Sequence, residues 1–343
     1  MGGDNGTGRA GLRSTKYRSF YVFGLIITLL CILGFSLQSK QSVKRRTPWR
    51  CRRTADGAIS RHKKPRVVSH RGFDVDHAKP PTATAKTITN LLHAEIVSFD
   101  LDVFWTADDS PSDLFIGHPP SMRKLCSLEA EVHETPTATM RARLPAPADL
   151  LSLDRLLELL VRHREEIGVV TLELKFPQHP DWQARLAQLY TAIRAARASD
   201  FTAVIVDGEA QIVLHERAQR ETNASVAAYA LLRDGDVLPA AEGREPRLRE
   251  GTFSEEAADK MDGWYVSTQC AQPALRRLVR ADEGLSSPVG VWVADDEPTL
   301  NRMWEYEPDE LITNRPLWAT ALLDQWEADE AVACRTANRY PPR

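Results

Sequence analysis

Beyond residue 65 the apolar positions fall into two alternating rhythms. Short runs of Val, Ile, Leu and Phe predict strands at 66–70, 96–103, 168–175, 201–207, 225–231, 263–268, 288–294 and 310–314. Between them apolar residues recur three and four apart and predict amphipathic helices. The clearest are "LLSLDRLLELLVRH" (150–163), "DWQARLAQLYTAIRAAR" (181–197) and 297–306. Eight strands separated by helices imply a parallel sheet with crossovers. About 280 residues in eight such units predict an α/β fold, the (β/α)8 TIM barrel. One stretch, 104–148, breaks the rhythm. It is too long for a simple connection and holds a strand-like piece, "LFIGH" (114–118), so it reads as an insertion after strand 2. The barrel is placed at 65–330 and a C-terminal tail at 331–343.

Ahead of the barrel the pattern changes twice. From Ser19 to Ser39, "SFYVFGLIITLLCILGFSLQS", no residue is charged. Some twenty residues at about 1.5 Å each give roughly 30 Å, the thickness of a bilayer core. A single transmembrane helix at 19–39 is expected, after an N-terminal tail at 1–18. A signal peptide is the alternative, but the run is long and no small-x-small cleavage site follows it. Residues 40–64 are polar, basic and broken by Pro48, and read as a linker. Arg9, Arg13, Lys16 and Arg18 precede the apolar run, while Lys40, Lys44, Arg45, Arg46, Arg50, Arg52 and Arg53 follow it. Loop charge therefore leaves the side of the membrane open.

Composition adds little beyond exclusions. The net charge of −3 gives no reason to expect a nucleic-acid partner. The cysteines are Cys31, Cys51, Cys126, Cys270 and Cys334, with no C-x-x-C pair, so a zinc site is not expected. Oligomeric state is not legible. Asn223-Ala224-Ser225 is a glycosylation sequon, a triplet that also arises by chance.

The candidate chemistry lies on strand ends. The first strand closes with His70-Arg71-Gly72. The second carries Asp100 and Asp102, which share one face by strand parity while Phe99 and Leu101 take the other. The third carries Glu173 and Lys175 on one face, with Leu172 and Leu174 opposite. His118 lies on the insertion within the stiff Gly117-His118-Pro119-Pro120. Each part has a plain structural reading: a capped strand end, a pair of helix caps, an internal ion pair. His62, His77, His93, His133, His163, His179 and His215 have no such setting and read as surface or core. Order, parity and spacing together favour one site at the C-terminal rim, where barrel enzymes place their chemistry.

Two carboxylates about 5 Å apart repel by roughly 3 kcal/mol at an effective dielectric near 20. Three carboxylates against one Lys would reject a phosphate unless a divalent cation neutralised them. Oxygen donors suit Mg²⁺ or Ca²⁺. Such a cation, an Arg and a Lys would make a pocket for a phosphodiester, and two histidines could serve as base and acid.

At these positions the chain resembles the glycerophosphodiester phosphodiesterases, within the phospholipase-C-like phosphodiesterase barrels. His70-Arg71-Gly72 matches the family's first strand end. Asp100-Leu101-Asp102-Val103 matches its Glu-x-Asp-Val imperfectly, followed by Thr106 and Asp108 as its Thr-x-Asp. His118 matches its inserted histidine, and Leu172-Glu173-Leu174-Lys175 its Leu-Glu-Ile-Lys. "LPAPADLLSLDRLLELL" resembles its lead into a helix, and Trp292 with Thr313-Asn314-Arg315-Pro316 its closing segment. The resemblance runs from about 66 to 317 and implies one divalent cation on Asp100, Asp102 and Glu173. It also implies His70 and His118 as the acid/base pair, Arg71 and Lys175 on the substrate phosphate, and Trp292 in the pocket. The expected activity is hydrolysis of glycerophosphodiesters or lysophospholipid head groups. Two departures stand out. The family's Pro-Glu-Asn-Thr after the first strand is replaced by "KPPTATAKTITN" without a Glu, and its first Glu-x-Asp carboxylate is shortened to Asp100. Asp74 or Asp76 is a candidate replacement ligand. The departures motivate a second reading, an inactive barrel that binds ligands or proteins at a membrane.

Overall fold

The computed structural model describes residues 52–53, 59–60, 63–73, 83–108, 114–145, 149–238, 247–249, 252–271 and 287–339. The expected transmembrane helix at 19–39 and the tail before it lie outside the described residues, as do Asp74 and Asp76. Among the described residues no helix is long and apolar enough to cross a membrane.

All eight predicted strands are present. They are β1 (Arg66–His70), β2 (Phe99–Trp105), β3 (Val170–Leu174), β4 (Thr202–Val206), β5 (Ala227–Leu232), β6 (Gly263–Ser267), β7 (Val289–Trp292) and β8 (Glu310–Thr313). Each pairs in parallel with the next, and β8 pairs with β1, so the sheet closes into a barrel. Closure buries both faces of every strand, which is why the runs are nearly continuous in apolar residues.

The crossover helices are built from local signals. Thr84 caps α1 (Ala85–His93) in a reciprocal capping box with Thr87. Ser152 caps α2 (Leu153–Arg162), which buries Leu153, Leu156, Leu157 and Leu160, the three-and-four spacing of one helix face. The remaining long helices are α3 (Trp182–Ala196), α4 (Glu209–Thr222), α5 (Glu297–Tyr306) and α6 (Pro316–Arg339). The helix α6 runs on past residue 330, where a tail was expected.

The chain divides into two compact units. Arg61–Ala328 contains the barrel. The other comprises 1–60 and 329–343, and its described parts are the antiparallel pair Arg52–Arg53 with Ile59–Ser60 and the end of α6.

The insertion begins two residues later than its pattern implies. Strand β2 continues through Phe104 and Trp105 because Leu114–Ile116 returns antiparallel along it. Phe104, Phe115, Met122, Cys126, Val132 and Met140 then form a separate apolar core for the insertion. Thr106 Oγ1 lies 2.7 Å from Thr137 Oγ1, and Thr137 N donates to Asp108 Oδ2 at 2.7 Å. The Thr-x-Asp pair therefore ties the insertion down.

The barrel interior is filled by Val68, Ala203, Ile205, Tyr229, Leu231, Tyr265 and Ile312. Two glycines make room for the two tyrosines. A Cβ at Gly263 would stand 2.6 Å from the Tyr229 ring, and one at Gly290 would stand 2.5 Å from the Tyr265 ring.

Candidate active site

Three adjacent strand ends and the inserted loop converge at the C-terminal rim. Strand β1 ends at His70, and the backbone then turns left-handed at Arg71 and Gly72, with φ of 60° and 66°. The turn is held by Ser69 Oγ donating to Phe73 O at 3.0 Å and by Arg71 N donating to Asp100 O at 2.6 Å. Gly72 packs so closely on α1 that a Cβ would meet Ile88 Cδ1 at 2.9 Å. The sharp reversal leaves Arg71 reaching over β2, its Nε 3.2 Å from Asp102 Oδ2 but without hydrogen-bond alignment.

The protonation of His70 is fixed from the far end of the chain. Asn314 follows β8 and gives its Nδ2 to Asp295 Oδ2 at 2.5 Å, while Asn314 N donates to Asp295 Oδ1 at 2.7 Å. A carboxylate only accepts, so the Asn314 amide nitrogen must face Asp295 and its Oδ1 must face His70. His70 Nδ1, 2.9 Å from that oxygen, therefore carries the proton. Nε2 is left with its lone pair toward the site, 4.0 Å from Asp100 Oδ2. Burial and the nearby Arg71 push the imidazole down to about 4, so it is neutral near pH 7.

Register places the carboxyls. Asp100 sits between His70 on β1 and Thr171 on β3, and Asp102 lies beside Glu173. Thr171 Oγ1 donates to Asp100 Oδ1 at 2.9 Å. Burial and the neighbouring Asp102 and Glu173 push the Asp100 carboxyl up to about 7. Burial also acts to raise Asp102, but Lys175 and Arg71 outweigh it and hold that carboxyl below its ordinary range. Lys175 Nζ is 2.6 Å from Asp102 Oδ1 and 2.6 Å from Glu173 Oε1. Burial opposes its charge, yet those two carboxylates raise its pKa.

His118 arrives by a different route. Val103 pairs with Ile116, and Gly117 N donates to Asp102 O at 2.9 Å, which sets the next residue over β2. His118 then caps the short helix Pro119–Leu125, which is anchored by buried Met122. Burial lowers its pKa, opposed by Asp102 and aided by Arg71 and Lys175. His70, Asp100, Asp102, Glu173 and Lys175 thus come together at this rim, with His118 close enough to feel Asp102, Arg71 and Lys175; strand parity accounts only for the shared faces of Asp100 with Asp102 and of Glu173 with Lys175. Trp292 ends β7 and packs partly buried on the barrel interior, its Nε1 buried without a hydrogen-bond partner.

Among the described residues no group of three or more His, Cys, Asp or Glu side chains is arranged to hold a metal ion. The Lys175 ammonium lies between Asp102 and Glu173. Arg71 and Lys175 spend their charge on carboxylates here. The donor set still fits a hard cation chemically. All candidate ligands are oxygens, Asp102 Oδ2 is buried without a hydrogen-bond partner, and three carboxyls face two side-chain cations.

Sequence reasoning missed three contributors: Asn314 and Asp295, which orient His70, and Thr171, which ties Asp100. Asn314 stands in the matched closing segment, but its role appears only when β8 meets β1. His133 and His179, read as surface or core, pack edge-on or tilted in a cluster with Trp105 and Phe176; the His133 and Phe176 centroids are 4.4 Å apart. His215 is buried against the Tyr190 hydroxyl.

No family model and no curated protein matches the sequence. Solved structures do match the fold. A protein described as a glycerophosphoryl diester phosphodiesterase, from Silicibacter pomeroyi, superposes with a TM-score of 0.59 at 20% identity, covering 76% of this chain and 94% of that one. A glycerophosphodiester phosphodiesterase from Parabacteroides distasonis gives 0.57 at 13% identity, over 77% of this chain and 99% of the other. A phosphodiesterase from Oleispira antarctica, solved with the product sn-glycerol-3-phosphate, gives 0.57 at 14% identity, over 76% and 97%. The chain has the barrel fold these proteins share.

Proposed function

We propose that this chain is a membrane-anchored, divalent-metal-dependent phosphoric diester hydrolase that cleaves glycerophosphodiesters or lysophospholipid head groups. The reading is carried by one observation: a neutral His70 with Nε2 free shares a rim with His118, Arg71 and Lys175. The product bound to the Oleispira antarctica protein supports the substrate class.

In this reading Arg71 and Lys175 turn from the carboxylates to the phosphate oxygens of the substrate. His70 Nε2 takes the proton of the attacking hydroxyl, whether water or a neighbouring substrate hydroxyl, as a new P–O bond forms. His118 lies across the rim, and the negative charge of a bound phosphate raises its proton affinity. It then protonates the departing alcohol oxygen as the old P–O bond breaks. Asp100, Asp102 and Glu173 would hold the cation, which when bound supplies charge neutralisation at the phosphate oxygens. Trp292 offers the exposed part of its ring to the remainder of the substrate.

Residues 19–39 provide the anchor, on the strength of their uncharged run. Protease protection in sealed membranes tests the anchor. The activity is tested by following glycerophosphodiesters and lysophospholipids by phosphorus NMR with Mg²⁺ or Ca²⁺. Release of a phosphomonoester, or of a cyclic phosphate where a substrate hydroxyl attacks, supports the reading, and an unchanged spectrum for every diester and cation opposes it. The Lys175 ion pairs favour one alternative, an inactive barrel that binds phosphorylated ligands. Calorimetric binding without turnover would identify it.

A further inference from the structure

A column of buried polar side chains runs through the barrel beneath the candidate site. Thr171, Tyr265 and Glu310 are all buried, from β3, β6 and β8. Tyr265 crosses the interior, and Gly290 on the neighbouring strand leaves the space its ring occupies. Its hydroxyl donates to Glu310 Oε2 at 3.0 Å, and Glu310 Oε1 lies 3.6 Å from Arg66 Nη1 at the opposite end of the barrel. The Tyr265 proton is thus engaged below, and its oxygen lies 3.4 Å from Thr171 Oγ1.

Thr171 has one hydroxyl proton and three oxygens in reach: Asp100 Oδ1 at 2.9 Å, Phe99 O at 3.4 Å and Tyr265 Oη at 3.4 Å. The short contact takes it. One Asp100 oxygen is therefore tied to the barrel wall, while the other faces His70 and the rim. Apolar packing alone would fill this layer with Val, Ile and Leu, as it does elsewhere in the interior. Two hydroxyls and a carboxyl in a closed barrel cost desolvation and are satisfied mainly by one another.

We propose that Thr171 is a positioning residue that fixes the orientation of Asp100, so that its Oδ2 alone is presented to a divalent cation. The proposal rests on the cation site of the preceding reading. It assigns the Thr171 hydroxyl a task that filling the barrel does not require: the short Asp100 side chain becomes a fixed single-oxygen ligand.

The test is cation affinity, measured by calorimetry with Mg²⁺ and by Mn²⁺ paramagnetic resonance on the full chain in detergent. Partners that orient ligands are worth roughly ten- to hundred-fold in metal affinity. Thr171→Val, which keeps the shape, is expected to weaken binding by about that factor while its melting temperature stays near wild type. Thr171→Ser is expected to restore it. Wild-type affinity in Thr171→Val, with Asp100→Ala defective, overturns the positioning role alone. A wild-type chain that binds neither ion overturns the cation site and this proposal with it. A Thr171→Val chain that melts early and is not rescued by Thr171→Ser assigns the column to packing and also overturns it.

Discussion

His70 and Asn314 are 244 residues apart, yet their side chains meet at 2.9 Å where the last barrel strand closes on the first. Because Asp295 fixes the Asn314 amide, this contact decides which imidazole nitrogen carries the proton. Replacing Asn314 by Leu removes the acceptor at Nδ1 and lets the other tautomer compete. Positioned acid–base groups contribute about 10²–10⁴-fold, so kcat should fall by about a hundredfold or more. KM and cation affinity should change little. Steady-state kinetics with a cation titration checks this, and a KM effect alone would mean that Asn314 only shapes the pocket.

Lys175 carries the largest electrostatic burden. Lys175→Met leaves Asp102 and Glu173 facing each other without the ammonium between them. Removing one partner of a buried pair costs about 3–5 kcal/mol. Without divalent cation the variant should therefore melt well below wild type, and added Mg²⁺ or Ca²⁺ should raise its melting temperature more than that of wild type. Equal cation responses would indicate that no cation reaches these carboxylates.

Asp100 and His70 load protons in opposite senses. Asp100, raised to about 7, holds a proton in the folded chain that the unfolded chain releases above 3.8. Its contribution to stability is full below pH 3.8 and is lost as pH rises through 7. His70, lowered to about 4 from 6.5, contributes fully above pH 6.5, and its contribution is lost as pH falls through 4. Between pH 4 and 6.5 the two slopes oppose each other. Asp100→Asn should unmask the histidine, so that without cation the variant loses stability on acidification from 6.5 to 4 more steeply than wild type. Chemical denaturation at a series of pH values measures both slopes.

Gly290 tests the interior packing. A methyl group there would stand 2.5 Å from the Tyr265 ring, on a strand that cannot move without opening the barrel. Gly290→Ala should cost about 1–3 kcal/mol, the usual range for overpacking. Thermal melting reports it, and an unchanged melting temperature would show that the ring can move aside.

Much of this architecture was legible in advance because strand parity is local. Asp100 and Asp102, or Glu173 and Lys175, must share a face wherever the strand ends up, and the eight apolar runs could be read without partners. What escaped depends on closure. Asn314 reaches His70, and Tyr265 reaches Thr171, only after β8 pairs with β1. The insertion boundary moved because Leu114–Ile116 extends β2 through Trp105, a pairing that apolar rhythm does not encode. Strand parity puts Lys175 on one face with Glu173, but it cannot show that the ammonium lies between two carboxylates.

The central claim is that His70 and His118 act together on a phosphodiester. The most direct measurement is the rate of phosphomonoester release from a glycerophosphodiester by wild type, His70→Ala, His118→Ala and the double variant, with a saturating divalent cation. The account predicts that each single variant loses about 10²–10⁴-fold and that the double variant loses little more, because the two imidazoles serve one step. Turnover in the double variant equal to wild type would contradict it.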